Sequence, residues 1–348
     1  RMHSHTSIPI IVAVFMSFLS IMTLSANAAT LPTALVNGNF EYPGYDELRA
    51  ATGQVNNYDY YIDVNGGKAL PTDYAADGWK TIPNFSMNRF GWKSTQQKVT
   101  DWTQIVPEQT VQINMDINTH NAFAELGIHS LSAIYQDLST TPGSIYTWSL
   151  KHSSYANRTD SMSVMIGTTT AQTAQNATRT TTNGNGDETG FVGTVISTKG
   201  NVEDPHDLAS QWETYTGTYQ IPDGQTTTRF TFASKSSLTE MNGNNLDDIV
   251  FDIAYPVIFD DNGGTGGPIS SYKDSNGIYQ FYYHDGESIA ATDKPTRNGY
   301  TFLGWAEEQI DPITSISSLN AISSKIYKIS ELKMSAPGKH YYAVWGKN

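Results

Sequence analysis

Between about residues 130 and 256, bulky apolar and polar positions alternate in short runs parted by Pro, Gly and Asn. "SIYTWSLKH" puts Tyr146, Trp148 and Leu150 on one face. "DSMSVMIGT" groups Met162, Val164 and Ile166, and "TRFTFAS" pairs Phe230 with Phe232. A period of two predicts strands with one face buried, because successive side chains point to opposite sides. "LDDIVFDIAY" adds a final strand. Short strands and frequent turns together predict an antiparallel sandwich. The stretch 168–190, "TTTAQTAQNATRTTTNGNGDETG", has no large apolar residue and is predicted to be a solvated loop.

Two further patterns divide the chain. A weakly basic start is followed by an apolar run from Ile8 to Leu24, and Ala26-Asn27-Ala28 forms a small-residue cleavage site. Residues 1–28 are therefore expected to be a signal peptide, and no later segment is apolar enough to span a membrane. "FDDNGGTGGPISS", 259–271, interrupts strand-like sequence and is predicted to be a Gly-rich linker. The expected organisation is a β-sandwich over 31–258, the linker, and a smaller domain over 272–348.

Composition sharpens this picture. Charged residues make up only 16 % of the 348, while Tyr numbers 20, which favours strands and polar loops over long helices. A formal charge of −13 argues against a nucleic-acid or anionic-membrane partner. There is no cysteine, so stability outside the cell must come from packing or from a metal. A monomer is expected.

Candidate chemistry lies in three places. "LVNGNFEYPG" (35–44) offers Asn37, Asn39 and Glu41, and "NNLDDIVFD" (244–252) offers Asp247 and Asp248. Such oxygens suit a hard cation such as Ca²⁺, and they equally suit turns and an exposed carboxylate pair. Neighbouring aspartates point to opposite faces of a regular strand, so without a bulge at most one faces a given site. Sugar rings stack on aromatic side chains, and the candidates are Trp79, Trp92, Trp102, Trp148 and Trp212, with Tyr58, Tyr60 and Tyr61. Trp148 is expected in the core. Trp92 and the tyrosines, set in polar sequence, are the predicted ligand contacts. "KHSSYANRTDSM" groups His152, Arg158 and Asp160, as the lip of a pocket or as a hydrogen-bonded hairpin. No catalytic motif is present, and neighbouring carboxylates do not flank a bond as glycosidase pairs do. A non-catalytic protein is expected.

The combination of "NGNFE", "DGWKT" (77–81), "AELGIHSLSAIYQDLSTTPGSIYTWSLKHSS" (124–154) and "LDDIVF" resembles the galactose-binding-like jelly-roll modules of bacterial surface proteins, relatives of carbohydrate-binding modules. The resemblance covers roughly 31–256. It implies a jelly-roll sandwich with a structural calcium near the first and last strands, and in some members a glycan site. Carried onto this chain, it makes Glu41 and Asp248 the leading calcium ligands, with Asp247 and Asn37 behind them.

Beyond residue 271, "PTRNGYTFLGW" and the later "YYAVW" resemble the internalin B-repeat, also called the Listeria–Bacteroides repeat. The matching positions are Pro295, Thr296, Arg297, Gly299, Tyr300, Phe302, Gly304, Trp305 and Trp345. The resemblance implies a small β-grasp-like domain of secreted or wall-attached bacterial proteins. The usual early Gly-Gly is replaced by "YYHDGES", and 311–337 is longer than usual and predicted to be partly helical. Tyr300, Phe302, Trp305 and Trp345 are read as the pieces of one small core. The chain as a whole is expected to be a secreted or cell-surface bacterial protein that binds a glycan or another host or cell-surface ligand. The alternatives are a structural spacer and an accessory part of a larger glycoside hydrolase.

Overall fold

The computed structural model describes residues 30–54, 57–72, 78–100, 105–128, 130–183, 188–236, 243–269, 281–290 and 293–348. The expected signal peptide and Trp102 lie outside them. The main strands are β1 (Asp59–Asp63), β2 (Val111–Met115), β3 (Ala122–Glu125), β4 (Ala133–Ser139), β5 (Ile145–Ser153), β6 (Thr159–Gly167), β7 (Glu213–Gln220), β8 (Thr227–Ser236) and β9 (Asn245–Asp260). In one sheet they run β7-β5-β9-β3-β2-β1, and in the other β6-β8-β4, with short strands at the edges. Every pairing within these two sheets is antiparallel.

The alternation in the sequence becomes the core between the sheets. Tyr146, Trp148 and Leu150 of β5 face Met162, Val164 and Ile166 of β6 and Phe230 and Phe232 of β8, all nearly solvent-free. Phe251 of β9 closes the cluster, its ring 4.4 Å from Phe230 and 5.8 Å from Trp148. Trp148 needs the bare backbone of its cross-strand partner Gly217, where a Cβ would fall 2.3 Å from the indole. The segment before β1 packs across as well. Phe40 stacks on Trp92 at 5.2 Å, and the amide of Ile249 donates to the carbonyl of Gly38 at 2.9 Å.

The polar stretch 168–190 is more ordered than its composition predicts. It adds edge strands Gln172–Ala174 to one sheet and Ala177–Arg179 to the other, and Ala177 is fully buried. Backbone pairing by small and β-branched residues needs no large side chain, so hydropathy alone missed it.

β9 is 16 residues long and does not stop at the edge of the sandwich. Its last third pairs antiparallel with β10 (Phe281–Tyr283) and parallel with β12 (Lys339–Lys347), which in turn pairs with β11 (Tyr300–Ala306). One face of this second sheet holds Val257, Trp305, Tyr341, Trp345, Leu332 and Met334. The other holds Ala306, Ile313 and Val344 beneath the helix Ile316–Ile322. The predicted aromatic core is present, and the register shift at Gly304 (φ 142°) explains it. The bulge turns Trp305 to the face of Phe302, with ring centroids 5.2 Å apart.

The expected linker is not a tether. Phe259 packs 4.9 Å from Trp305, the Trp345 indole donates to the Asp261 carbonyl at 3.0 Å, and Asn262 Nδ2 bonds the carbonyls of Ile310 and Ala343. Thr265 and Thr296 exchange two backbone hydrogen bonds. Gly264 lies under Trp345, where a Cβ would meet the ring at 2.3 Å. Gly264 thus permits close approach, Gly263 and Gly266 turn the chain at positive φ of 90° and 82°, and residues 31–348 form one compact unit.

Candidate functional site

In β3 the small residues Ala122 and Ala124 face the core, so Phe123 and Glu125 point to the opposite side of the sheet. Cross-strand partners share a face. Phe123 pairs with Asn114, Glu125 with Gln112 and Asn245, and Lys151 with Asp247. The face away from the core therefore carries a band of polar and aromatic side chains. The irregular segment 201–212 lies over part of it and brings Leu208 and Trp212 to its edge.

Trp212 is half-buried and meets Phe123 edge-on, centroids 5.6 Å apart. Around the two rings opens a cleft of about 170 Å³, lined also by Asp116, Thr119, Asn121, Lys151, Leu208, Ala209, Asp247 and Asp248. Asp247 accepts from Asn121 Nδ2 at 2.7 Å and from the amide of Asp248 at 2.7 Å. Burial pushes its carboxyl up to about 7, and the charge of Asp248 adds to the effect. Asp248 pairs with Lys151 at 2.6 Å. Asp116 is fixed by three backbone amides, those of Asn118, Thr119 and Leu208. The cleft thus offers an aromatic wall beside carboxylates, an amide and an ammonium.

Deeper on the same face, Glu125 is 4 % exposed and accepts from Gln112, Asn114 and the amide of Gly243. Burial, then the charge of Asp59, pushes its carboxyl up to about 8. Asp59 itself bonds His206 of the covering segment at 2.7 Å.

The predicted metal ligands are engaged in different ways. Glu41 reaches the amide of Ala122 with one oxygen. Burial raises its carboxyl above the ordinary value, and the nearby charge of Asp248 adds to this. Asp248 sits at a positive φ of 44°, beside a bulge in β9. Asn37, by contrast, is consumed as a turn clamp. Its side chain bonds both the amide and the carbonyl of Tyr42, and also the carbonyl of Phe90. Asp247 turns into the cleft. Glu41 thus feels the charge of Asp248, while Asn37 is taken up by its turn. Among the described residues, no three His, Asp or Glu side chains converge as a metal cluster.

Most of the predicted ligand contacts are structural. Trp92 and Tyr60 are fully buried in the core, and the Trp92 indole donates to the Asn37 carbonyl at 2.8 Å. Tyr61 points to the other face but is covered by Leu70, Val106 and Ile128. Tyr58 is half-buried among Tyr45, His120 and His206. His152 is solvent-free between Thr198 and Asn244, and burial drives its imidazole down to about 4. Asp160 is equally buried, accepting from the amide of Tyr155, and Arg158 is exposed. His152 and Asp160 are spent on buried hydrogen bonds where the chain crosses from β5 in one sheet to β6 in the other, so the three form neither a hairpin nor a pocket lip. Of the aromatic candidates, Trp212 alone lines the cleft. Phe123, Asp116, Asn121 and Lys151 were not singled out, although small-large alternation in "AFAE" already marks a strand whose second face is also covered.

No curated protein matches this chain. Similar solved structures include a CBM4 structure, 15 % identical, covering 47 % of this chain and 86 % of that one at a TM-score of 0.27. The CBM22-1 xylan-binding domain of a Paenibacillus barcinonensis protein is 13 % identical, with shares of 47 % and 86 % and a TM-score of 0.27. A CBM35 from Cellvibrio japonicus is 12 % identical, with shares of 46 % and 85 % and a TM-score of 0.25. Scores this low carry no functional information. Among the described residues, no helix is long and apolar enough to cross a membrane. Residues 255–321 match the Listeria–Bacteroides repeat domain, and most of the antiparallel β-sandwich precedes them in the chain.

Proposed function

We propose that the sandwich binds a glycan in the Phe123–Trp212 cleft and that the repeat fixes it within an exported bacterial surface protein. The observation that carries this reading is the half-buried Trp212, standing on Phe123 beside Asp116, Asn121, Lys151 and Asp247. An indole offers stacking for the apolar face of a pyranose, and the polar groups offer partners to its hydroxyls. The cleft is smaller than the roughly 300 Å³ at which drug-sized pockets begin, so it suits one ring of a chain lying across the face. The motif resemblance supports the same reading, and so does the match to a repeat domain.

A glycan array probed with the full chain tests it. One class of sugar is expected to be retained, with Trp212→Ala weakening binding at least tenfold and exposed Arg158→Ala leaving it unchanged. Retention on no glycan, or full binding by the Trp212 variant, rejects the cleft. The rigid passage of β9 into the second sheet favours a spacer as the second reading, and an empty array would leave that one standing.

Calcium belongs to the same proposal, with Glu41 and Asp248 as side-chain ligands and Lys151 as the group the ion displaces from Asp248. A cation bound only to the folded state at a hundred times its Kd raises stability by about 2.7 kcal/mol. The melting temperature is therefore expected to fall with a chelator and recover with Ca²⁺. A melt insensitive to both, or unaltered by Glu41→Gln, removes the site.

A further inference from the structure

The wall of the cleft that carries Leu208, Ala209 and Trp212 belongs to a segment with no regular secondary structure. Several bonds hold it down. The amide of Leu208 donates to Asp116, the amide of Ile117 donates to the His206 carbonyl at 2.8 Å, and Gln211 reaches Ser154. Asn183 donates to the Gln211 carbonyl and accepts from Asn201 Nδ2. A further pin is the ring of His206, which reaches under the segment to Asp59 on β1 at 2.7 Å. It is the pin whose side chain can lose its charge as pH rises.

We propose that the His206–Asp59 pair is a pH-sensitive latch, closing the Leu208–Trp212 wall against the sheet in acidic and neutral medium and releasing it as the medium turns alkaline. The regulatory role rests on the glycan reading of the cleft; the latch itself does not. The three carboxylates that act on the ring all favour its charged form. Asp59 faces it from β1, and Asp204, on its own segment, lies 3.6 Å from Nδ1. Glu125 acts from β3 beneath, and the neutral phenols of Tyr58 and Tyr155 lie nearby. His120 stands beyond Tyr58, its ring 6.3 Å from the phenol. Burial works to lower the imidazole's pKa, but Asp59, through its hydrogen bond and charge, with Asp204 and Glu125, raises it above the ordinary value. A base whose folded pKa is raised contributes stability that is complete below about 6.5 and is lost as pH rises through the folded value. Once His206 is neutral, Asp59 and Asp204 lose the cation between them, and Arg158, which acts on neighbouring Tyr155, is the nearby positive charge that stays. The wall then keeps its other hydrogen bonds, buried Leu208 and the ring contact of Trp212 with Phe123.

Hydrogen exchange of residues 201–212 in the full chain, corrected for the intrinsic rise with pH, reads the latch without any ligand. Protection is expected to fall at least tenfold between pH 6 and pH 9 in the wild type. In His206→Gln, which keeps a neutral donor, it is expected to be low and flat. Glu125→Gln is expected to keep the transition, which separates the latch from ionisation of that buried acid. A corrected profile that is flat in the wild type, or a transition that survives in His206→Gln, overturns the proposal. Affinity for cellohexaose and xylohexaose, measured over the same range, separates the two claims. If neither sugar binds and the exchange transition is present, the latch stands and the glycan reading falls. If either sugar binds with no pH dependence in wild type or variant, the reading stands and the latch's regulatory role falls.

Discussion

The sandwich and the repeat share a strand but reach stability by different means. In the sandwich, a large core with many aromatic rings lies between two sheets, and the outer face adds a second, polar layer that includes buried Glu125 and Asp247. In the repeat, a few large rings carry nearly everything. Trp305 and Trp345 are buried to within 1 %, Phe302 and Phe259 lean on them, and no carboxylate or histidine is buried there among the described residues. Polar groups buried on a sheet face are costly unless a segment covers and pairs them. Their presence in the sandwich is what draws the proposed ligand site to that region.

The largest test of this contrast is Trp305→Ala. Removing a buried tryptophan costs about 3–5 kcal/mol, which a core of this size cannot absorb. Calorimetry is expected to show loss of the repeat's transition while the sandwich still melts cooperatively, because β9 is held there by β5 and β3 independently. Loss of both transitions together would mean that the shared strand makes one folding unit of the two, and the contrast would fail.

How much of this was legible in the sequence differs between the regions for the same reason. The repeat's aromatic positions lie close together in the chain, around one bulge at Gly304, so local spacing reveals them. The strands of the sandwich were equally visible, since Tyr146, Trp148 and Leu150 alternate in a run of five. The cleft was not. Phe123, Lys151, Trp212 and Asp247 come from four separate segments and meet only through strand register, which a single sequence does not specify. Exposure was misread for a related cause. Tyr60 and Tyr61 are neighbours in one polar stretch, yet one faces the core and the other faces a satellite cluster across the sheet. Composition cannot show that both faces are covered.

A smaller effect is expected in the pH dependence, and it too should divide the regions. His152 is neutral and buried, with its pKa near 4 against about 6.5 in the unfolded chain, so the unfolded state takes up the proton first. Stability contributed by this group is lost as pH falls from 6.5 to 4, by roughly 3 kcal/mol in all. Glu125 has the opposite sign: with its folded pKa near 8, its contribution is complete below about 4.5 and lost as pH rises toward 8. The total curve sums several groups, so the quantity to measure is the difference between wild type and variant. Relative to His152→Asn, the wild-type sandwich is expected to weaken in acid. Relative to Glu125→Gln it is expected to weaken toward pH 8, and the repeat's transition should follow neither. Parallel curves for wild type and either variant would show that the group concerned is not buried as described.

The smallest change asks whether the glycine-rich stretch 259–267 joins two modules or belongs to one. A flexible joint tolerates alanine, and there Gly→Ala stabilises by reducing the freedom of the unfolded chain. A packing glycine does the reverse. At Gly264 the added methyl would lie 2.3 Å from the Trp345 ring and 2.8 Å from the Thr296 carbonyl, and neither can withdraw, since the ring is fixed by its bond to Asp261. Overpacking of this kind costs about 1–3 kcal/mol. Gly264→Ala is therefore expected to lower the repeat's melting temperature and leave that of the sandwich alone. An unchanged or higher melting temperature would return the segment to the role of tether. The repeat would then be free to swing, and the continuity of β9 would no longer set how the cleft is presented.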